Sequence, residues 1–342
     1  MDGMEEDILS HDFIQLQARA CQTSPSVSEC SNGKLTRMPR VALGTFKLRG
    51  SEAVKEAITS AIENGIKHID TASIYKNEED IAAALWDNMQ LDRTSVFLTS
   101  KISPYEMGYD KTKEAIANIL RRLRIEYIDM LLIHWPAVAK EAYTSTHHRT
   151  KRVESWTALE ECFREGKCRA IGVSNFSARH IEELVADSST TICPMINQIE
   201  VHPRLLQTPL RDFCATHGIA IAAYSPFGTG DLLKSERIES VLRECMKLQK
   251  QIEDDDDNSC TIESSAQLLL VWGLLKSDCV VAKASSDEHI KELSKGWKCY
   301  KGMLERCKVR KNREIVLPGG IVEMLDNMNE EYHYCWNSTE IL

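Results

Sequence analysis

The sequence predicts an α/β protein of the (β/α)8 class, a TIM barrel with parallel strands and a functional site at their C-terminal face. From residue 41 onward, short apolar runs alternate with amphipathic segments of helical period, which is typical of βα units. There are eight such runs, the number of strands that this barrel needs. A doubly wound sheet uses the same units, but no GxGxxG motif follows any run, so the barrel is favoured.

The predicted strands are the short apolar runs, and the predicted helices carry apolar residues three and four positions apart. The strands are expected at residues 41–43, 66–71, 96–100, 127–134, 170–173, 195–200, 219–224 and 279–282. The helices are expected at residues 51–65, 79–89, 111–124, 153–165, 178–186, 209–217 and 262–275. In the first helix, Val54, Ala57 and Ile58 share one face, and Gly65 is placed to end it.

The beginning of the chain differs from the rest. Residues 1–37 show no sustained period, so we expect a partly disordered N-terminal extension followed by one barrel domain over residues 38–342. The alternative is a helix docked on the barrel. Its contacts would come from four apolar residues, Ile8, Phe13, Ile14 and Leu16.

The composition limits the classes of function. Of 342 residues, 43% are hydrophobic, and 51 acidic against 42 basic side chains give a formal net charge of -9. This balance argues against a nucleic-acid binder, which needs a basic face. Twelve cysteines occur without a CxxC pair, and the N-terminus lacks the basic and apolar parts of a signal peptide. We therefore expect a cytoplasmic protein with reduced thiols and no membrane partner.

Reactive side chains occur at the C-terminal ends of three consecutive predicted strands. Asp70 ends the second strand, with Tyr75 just beyond it, while Lys101 ends the third and His134 the fourth. These ends share one face of a barrel. Taken singly, a strand-end Asp is typical of a helix N-cap, and a Lys or Tyr there is typical of a solvated rim. Their joint occurrence favours a site.

These four residue types suit proton transfer to a carbonyl oxygen. A tyrosine phenol, with an ordinary pKa of about 10, is a weak acid at neutral pH. We expect the ammonium of Lys101, held by Asp70, to lower the pKa of Tyr75, and a neutral His134 to orient the carbonyl oxygen. None of these groups delivers a hydride, so a reduction requires a nicotinamide cofactor.

Four stretches resemble motifs of the aldo-keto reductases, in the order that the family shows. They are KHIDTASIYKNE at residues 67–78, LLIHWP at 131–136, GKCRAIGVSNF at 166–176 and NQIEVHP at 197–203. The resemblance extends from about residue 38 to Trp336. Several long matches in order are far more specific than one short motif.

The resemblance implies a catalytic tetrad of Asp70, Tyr75, Lys101 and His134, with Tyr75 as the general acid. It also implies NADPH as the cofactor and a small-molecule carbonyl compound as the substrate. The residues implied to contact the nicotinamide end are Ser174, Asn175 and Gln198 at the carboxamide, Tyr224 stacked on the ring, and Thr45 and Ser225 beside it. Amides and a hydroxyl match a carboxamide, and a phenol matches a flat ring.

The adenosine end departs from the family pattern. The family's Pro-Lys-Ser stretch, followed by an arginine and an asparagine, corresponds here to residues 282–293, with Lys283 kept. The serine, arginine and asparagine positions hold Ala284, His289 and Leu293. A guanidinium binds the 2′-phosphate with a fixed charge and a fork of donors, which an imidazole lacks. We therefore expect His289 to bind NADPH more weakly and less selectively, with NADH admitted as an alternative.

The substrate side is expected to be apolar. Phe46, Ile74 and Trp135 are the predicted walls, and each is equally typical of core or rim packing. Trp297 or Tyr300 is a further candidate. A basic loop at residues 137–152 is expected to be solvated and to cover one side. Its adjacent histidines, His147 and His148, form neither HxH nor HExxH, so no metal site is expected.

Two segments interrupt the alternation, and both are expected to be surface loops or helices. Residues 232–261 contain the acid run 253–257, and residues 295–317 are strongly basic. For the basic segment, a substitute phosphate anchor or a patch for an acidic partner is the alternative.

Together these observations predict a monomeric NADP(H)-dependent reductase of aldehydes or ketones with no nucleic-acid partner. The alternative is a family-related nucleotide-binding or structural protein with weak or no turnover. The complete tetrad favours the enzyme, and the altered adenosine end favours the alternative. A metal-dependent barrel hydrolase is disfavoured because His and Asp ligands are not clustered at the strand ends.

Overall fold

The computed structural model describes residues 12–21, 35–252, 261–309, 317–318 and 320–342. Expectations that concern residues 1–11 and 22–34, the acid run 253–257, or the basic residues 310–316 lie outside this part of the chain.

Eight parallel strands close a barrel, which confirms the predicted fold class. Each strand from β3 to β9 pairs with the next, and β10 pairs with both β9 and β3. The strands are β1 (Phe13–Leu16), β2 (Thr36–Pro39), β3 (Val41–Gly44), β4 (His68–Asp70), β5 (Phe97–Ile102), β6 (Met130–Ile133), β7 (Ile171–Ser174), β8 (Ile196–Glu200), β9 (Ala220–Tyr224) and β10 (Cys279–Lys283).

Helices connect the barrel strands and cover their outer side. The α-helices of the described residues are α1 (Ser51–Glu63), α2 (Glu78–Ala82), α3 (Tyr109–Leu123), α4 (His147–Arg164), α5 (Ala178–Val185), α6 (Thr208–Thr216), α7 (Glu236–Ile252), α8 (Ser265–Lys276), α9 (Asp287–Val309) and α10 (Ile321–Asp326), and α2 continues as a π-helix over Ala83–Asn88. In α3, Ala115, Ile116 and Ile119 are buried at helical spacing against the barrel. The helix ends at Arg124, which has a left-handed backbone with φ 54°.

The barrel interior is closely packed. All six residues of β5 are buried, and they include Lys101. Gly172 in β7 is required by a close approach, because a Cβ there would lie 2.5 Å from the Ile196 side chain and 2.6 Å from its carbonyl oxygen. This tight packing fixes the strand ends that carry the candidate site.

The N-terminal segment lies against the base of the barrel as a strand. β1 pairs antiparallel with β2, with Phe13 opposite Pro39, and Leu16 is buried. The alternative of a docked helix through Phe13, Ile14 and Leu16 is therefore wrong for the described residues, while Ile8 lies outside them. Alternation of buried and outward side chains explains the strand, because Gln15 is exposed between Ile14 and Leu16.

The basic stretch 137–152 is only partly a loop, because α4 begins at His147. Arg152 is buried, forms an ion pair with Glu183 at 2.7 Å and donates a hydrogen bond to the Pro136 carbonyl at 2.9 Å. His148 is also buried and contacts the Ala142 carbonyl. The expectation of a solvated stretch is therefore wrong at these residues, because internal partners replace water around the buried charge.

The proposal that Trp297 or Tyr300 lines the substrate pocket is also wrong. Both lie within α9, which extends the basic segment as a helix to Val309, and their rings stack with centroids 5.8 Å apart. Tyr300 accepts a hydrogen bond from Arg40, the residue that precedes β3, at 2.7 Å. They therefore pack near the N-terminal ends of the strands, opposite the rim that carries the candidate site.

None of the helices in the described ranges has the length and apolar character that a membrane span requires.

Candidate active site

A buried ion pair lies at the C-terminal ends of β4 and β5. The Lys101 Nζ is 2.6 Å from Asp70 Oδ1 and donates a second hydrogen bond to the Thr71 carbonyl at 2.9 Å. The other oxygen of Asp70 accepts from Gln198 Nε2 at 2.8 Å. Burial lowers the pKa of Lys101, and the neighbouring Asp70 opposes this by favouring the charged form. The carboxylate is thus held on both oxygens and fixes the ammonium.

Tyr75 stands beside this pair on a short helical turn, Ser73–Tyr75, that follows β4. The Lys101 Nζ lies 5.3 Å from the centre of the Tyr75 ring. Burial raises the pKa of Tyr75 well above its ordinary value, and the negative charge of Asp70 raises it further. The expected lowering by Lys101 is therefore wrong, because burial and the carboxylate outweigh the ammonium. The phenol therefore keeps its proton at neutral pH.

His134 completes the group from the end of β6. Its Nε2 lies 3.5 Å from the Tyr75 hydroxyl. Burial, with a contribution from Lys101, lowers the pKa of His134 well below its ordinary value, so the imidazole is neutral at physiological pH. Its Nδ1 is buried with no hydrogen-bond partner among the described residues. The four residues predicted from the strand ends thus meet at one rim.

A second network adjoins His134 at the ends of β7, β8 and β9. The Asn175 amide nitrogen donates to the His134 carbonyl at 3.0 Å and to Ser174 Oγ at 3.1 Å, and its oxygen accepts from Tyr224 at 2.7 Å. Ser174 Oγ donates to the Gln198 carbonyl at 2.9 Å. Asn175 has a left-handed backbone, with φ 62°. This conformation turns the amide back onto the rim, so the four predicted residues form one connected surface.

Thr45 and Ser225 occupy different environments. Thr45 is fully buried, and both its N–H and its hydroxyl contact the Asp70 carbonyl at 3.0 Å. It therefore braces the backbone beneath the ion pair. Ser225 has a left-handed backbone with φ 51°, and its Oγ lies 3.3 Å from Cys335 Sγ. It belongs to the surface of the rim.

The residues predicted for the adenosine end lie on the side of β10 and α9. Lys283 is exposed at the end of β10, opposite Gly44, which is in turn opposite Asp70. His289 is exposed near the start of α9. Leu293 and Ala284 are buried in the hydrophobic core. The position that holds asparagine in the family thus contributes packing here and presents no polar group.

Aromatic side chains form a wall over Tyr75. The Phe46 ring centre lies 5.1 Å from that of Tyr75 and 5.8 Å from that of Trp336, and Trp336 lies 6.5 Å from Trp135. Ile74 is 41% exposed on the same turn as Tyr75. The three predicted apolar residues therefore lie at the rim. Trp336, which is 48% exposed, was missed by the sequence reasoning.

Trp336 is positioned by a buried carboxylate. Glu200, at the end of β8, accepts hydrogen bonds from the N–H groups of Tyr334 at 2.9 Å and Cys335 at 3.3 Å. It also contacts His202 Nε2 at 3.2 Å. Glu200 was not predicted as a site residue, although a charged residue within a buried strand of the motif NQIEVHP was the available signal. A cavity of about 120 Å³ adjoins it, bounded in part by Asn175, Tyr224 and Trp336.

The closed barrel gathers Asp70, Tyr75, Lys101 and His134 at the C-terminal face of its strands. The model of the aldo/keto reductase family matches residues 40–299, and the chain belongs to that family. It is thus an NAD(P)H-dependent oxidoreductase.

Similar proteins and structures cover most of the chain. Glyoxal reductase of Bacillus subtilis (strain 168) is 38% identical over 255 residues, which is 75% of this chain and 82% of that protein. The 9,11-endoperoxide prostaglandin H2 reductase of Trypanosoma cruzi (strain CL Brener) is 36% identical over 264 residues, 76% and 83% of the two chains. The crystal structure of MGS-M4, an aldo-keto reductase from a deep-sea metagenome, is 27% identical, has a TM-score of 0.69, and covers 89% of this chain and 96% of its own. A Gox0644 mutant in complex with NADPH has a TM-score of 0.66 at 27% identity, with coverage of 86% and 91%.

Proposed function

We propose that this protein reduces aldehydes or ketones to alcohols with NADP(H), and that Tyr75 is the proton donor. The observation that carries the proposal is the position of the Tyr75 hydroxyl, 3.5 Å from the neutral His134 and beside the buried Lys101–Asp70 pair. A protonated phenol with a neutral imidazole and a buried ammonium beside it is suited to deliver one proton to a carbonyl oxygen.

The residues of the second network fit a nicotinamide. Within the described part of the chain no donor reaches Gln198 Oε1, since only its Nε2 is engaged with Asp70. That oxygen is available to accept an N–H of the carboxamide, with Ser174 and Asn175 beside it. The Tyr224 ring, held by its hydroxyl to Asn175, offers a flat face for stacking. When bound, NADPH supplies a hydride from the nicotinamide C4.

The proton path follows from the geometry. Tyr75 transfers its proton to the carbonyl oxygen as that oxygen gains negative charge. The ammonium of Lys101 then stabilises the phenolate, and Asp70 keeps Lys101 in place. His134, neutral and with Nε2 directed to the Tyr75 hydroxyl, donates a hydrogen bond that orients the same oxygen. The raised pKa of Tyr75 ensures that the donor holds its proton before reaction.

The aromatic wall indicates an apolar substituent on the substrate. Phe46 packs on the Tyr75 ring, and Trp336 contacts both Phe46 and Trp135, so apolar rings line the rim beside Tyr75. A lower local dielectric strengthens the interaction between Lys101 and the phenolate. The names of two relatives, glyoxal reductase and glycerol 2-dehydrogenase (NADP(+)) of Saccharomyces cerevisiae, support carbonyl and alcohol chemistry in either direction.

We further propose that the preference for NADPH over NADH is weak. Lys283 supplies one positive charge at the adenosine end, but His289 stands in place of the family's arginine and Leu293 is buried. Without a guanidinium, the 2′-phosphate loses a bidentate partner. Fluorescence titration with NADPH and NADH measures the ratio of the two Kd values. His289→Arg is expected to raise the Kd for NADH relative to the Kd for NADPH about tenfold. Negligible binding of NADH by the wild type would contradict the proposal.

The reaction is tested by following oxidation of NADPH and of NADH at 340 nm with a panel of aldehydes and ketones. We expect turnover with apolar aldehydes by the wild type. Nucleotide binding without turnover of any compound would contradict the proposal and favour a nucleotide-binding or structural role. We also propose that the protein is a monomer, because all the residues of the candidate site come from one chain. Size-exclusion chromatography of the same preparations tests this proposal.

A further inference from the structure

The N-terminal segment is joined to the barrel base through a short antiparallel contact. Ala20 pairs with Ile192, in the connection between α5 and β8. The Cys21 N–H donates to the Thr191 carbonyl at 3.1 Å, and the Cys193 N–H donates to the Arg19 carbonyl at 2.9 Å. These two backbone hydrogen bonds fix both segments, so the side chains of Cys21 and Cys193 are held beside one another.

The two thiols are in direct contact. Their Sγ atoms lie 3.1 Å apart, although the residues are 172 positions apart in sequence. A disulfide bond has a length of about 2.05 Å, so a displacement of about 1 Å, within reach of small side-chain rotations, joins them. Cys21 is buried at 2% exposure, whereas Cys193 is only half-buried.

The surroundings assign different roles to the two sulfur atoms. The hydrogen bond from the Cys21 thiol lowers the pKa of Cys193, and the charge of Arg19 lowers it further. The same contact and burial raise the pKa of Cys21. The thiolate is the reactive form of cysteine, so Cys193 is the attacking sulfur. Cys162 and Cys168 offer a comparison, because both are buried and burial raises the pKa of Cys168.

We propose that Cys21 and Cys193 are a redox-active dithiol, a modification site that low-molecular-weight disulfides such as oxidised glutathione convert to an intrachain disulfide. The Cys193 thiolate attacks one sulfur of the oxidised glutathione and releases one glutathione thiolate, which takes up the proton of Cys193. Cys21 loses its proton, attacks Cys193 Sγ and releases the second glutathione. The protein loses two protons and two electrons in total, and two molecules of reduced glutathione are formed.

The disulfide would fasten the N-terminal segment to the barrel without touching the candidate active site. Cys193 precedes β8, so the pair lies at the N-terminal ends of the strands, and Tyr75 and Lys101 lie at the opposite ends. The bond closes a loop of about 170 residues, which restricts the unfolded chain. Oxidation is therefore expected to raise the melting temperature by about 5 °C and to leave kcat unchanged.

The experiment treats the full chain with oxidised glutathione, blocks the remaining thiols under denaturing conditions, and identifies linked peptides by mass spectrometry. A Cys30→Ser background is used, because Cys30 shares a tryptic peptide with Cys21. We expect a Cys21–Cys193 cross-link, with Cys162 and Cys168 still alkylated. In Cys21→Ser, Cys193 is expected to retain one glutathione, whereas in Cys193→Ser, Cys21 is expected to remain a thiol.

Three outcomes overturn the proposal. The first is full alkylation of Cys21 and Cys193 after the treatment, and the second is oxidation of Cys162 and Cys168 at the same rate as this pair. The third is a glutathione adduct that persists on Cys193 while Cys21 is present. A cross-link that leaves the melting temperature unchanged overturns the stabilising role. Measuring the melting temperature of the same samples in which the cross-linked peptides are identified therefore tests disulfide formation and its effect on stability separately.

Discussion

Asp70 and Lys101 form an ion pair that is completely enclosed by the barrel, at exposures of 2% and 0%. Desolvation of two charges is costly, so such a pair persists only where further hydrogen bonds complete it. Here Thr71 and Gln198 supply them. The proposed chemistry gives this pair a purpose, because it places a positive charge beside Tyr75, where the proposed proton transfer would leave a phenolate.

Replacement of Lys101 by Met is expected to lower the free energy of unfolding by about 3 kcal/mol, because the Asp70 carboxylate stays buried without its partner. Urea denaturation measures the change. Asp87→Asn is the control, because it breaks the exposed Arg124–Asp87 pair, whose side chains are 47% and 58% exposed, and the expected loss there is below about 1 kcal/mol. Equal losses in the two variants would contradict a stabilising role for the buried contact.

At the scale of single residues, the sequence predicted which side chains meet but not the direction in which their pKa values shift. Asp70, Tyr75, Lys101 and His134 were found because parallel strands bring their C-terminal ends to one face. The direction of the Tyr75 shift was predicted wrongly, because it depends on how far burial and Asp70 outweigh Lys101. Depth of burial and distances between charges are properties of the folded chain, and no residue pattern encodes them.

The C-terminal segment 327–342 is the element that gives the site its outer wall. Glu200 binds the backbone of Tyr334 and Cys335, while Arg204 donates to the Tyr334 hydroxyl at 2.9 Å and pairs with Glu330 at 2.6 Å. Two side chains from the barrel thus hold the segment, and Trp336 projects from it toward Phe46 and Trp135.

Trp336→Ala is expected to raise KM for aromatic aldehydes about tenfold, because a large apolar contact is lost, and to leave KM for a two-carbon aldehyde unchanged. Steady-state kinetics with the two substrates measures the difference. Trp336→Phe keeps a ring and is the matched control, with KM values near those of the wild type. An equal rise in KM for both aldehydes in Trp336→Ala would indicate a general disturbance and contradict a role as substrate wall.

Elements with a clear period were the predictable ones. The predicted strand 195–200 differs by one residue from the observed Ile196–Glu200. The start of α4 was missed because its first turns are polar, and the apolar stripe begins only at Val153. The prediction of Trp297 in the substrate pocket was wrong, although the barrel topology excludes that position. Each helix runs antiparallel to the strand before it, so a residue ten positions into α9 lies near the N-terminal ends of the strands. The C-terminal segment has no period, and only tertiary contacts define it.

Some histidines are buried in the fold with a lowered pKa, among them His68 and His180. His68 in β4 contacts Thr99 at 2.8 Å and the Pro39 carbonyl at 3.2 Å, and burial lowers its pKa to about 4. The unfolded chain, with an ordinary histidine pKa of about 6.5, binds a proton that the folded chain excludes. The stability from His68 is therefore complete above pH 6.5 and is lost as the pH falls toward 4.

His68→Gln is expected to reduce the pH dependence of the unfolding free energy between pH 6.5 and 5 by about 1 kcal/mol per pH unit. Glutamine does not titrate but retains a donor and an acceptor. Urea denaturation at several pH values measures the slope, with the exposed His217→Gln as the control. A wild-type slope in His68→Gln would contradict the assignment.

The chain as a whole combines a barrel that its periodicity predicts with features that only the folded state reveals. The twelve cysteines appeared in sequence as scattered thiols, yet the fold brings Cys21 to Cys193 across 172 positions. Similarly, the net charge of -9 predicted nothing about the buried positive charge of Lys101. Both depend on long-range contacts, which the topology creates and local sequence does not record.

The central claim is that Tyr75 donates the proton in a carbonyl reduction, and Tyr75→Phe tests it most directly. The ring and its contact with Phe46 remain while the hydroxyl is removed, so binding of NADPH is expected to be unchanged. Turnover of an aldehyde is expected to fall at least about 100-fold, whereas Tyr105→Phe, at an exposed residue near the same rim, keeps the wild-type rate. Wild-type turnover in Tyr75→Phe would contradict the account.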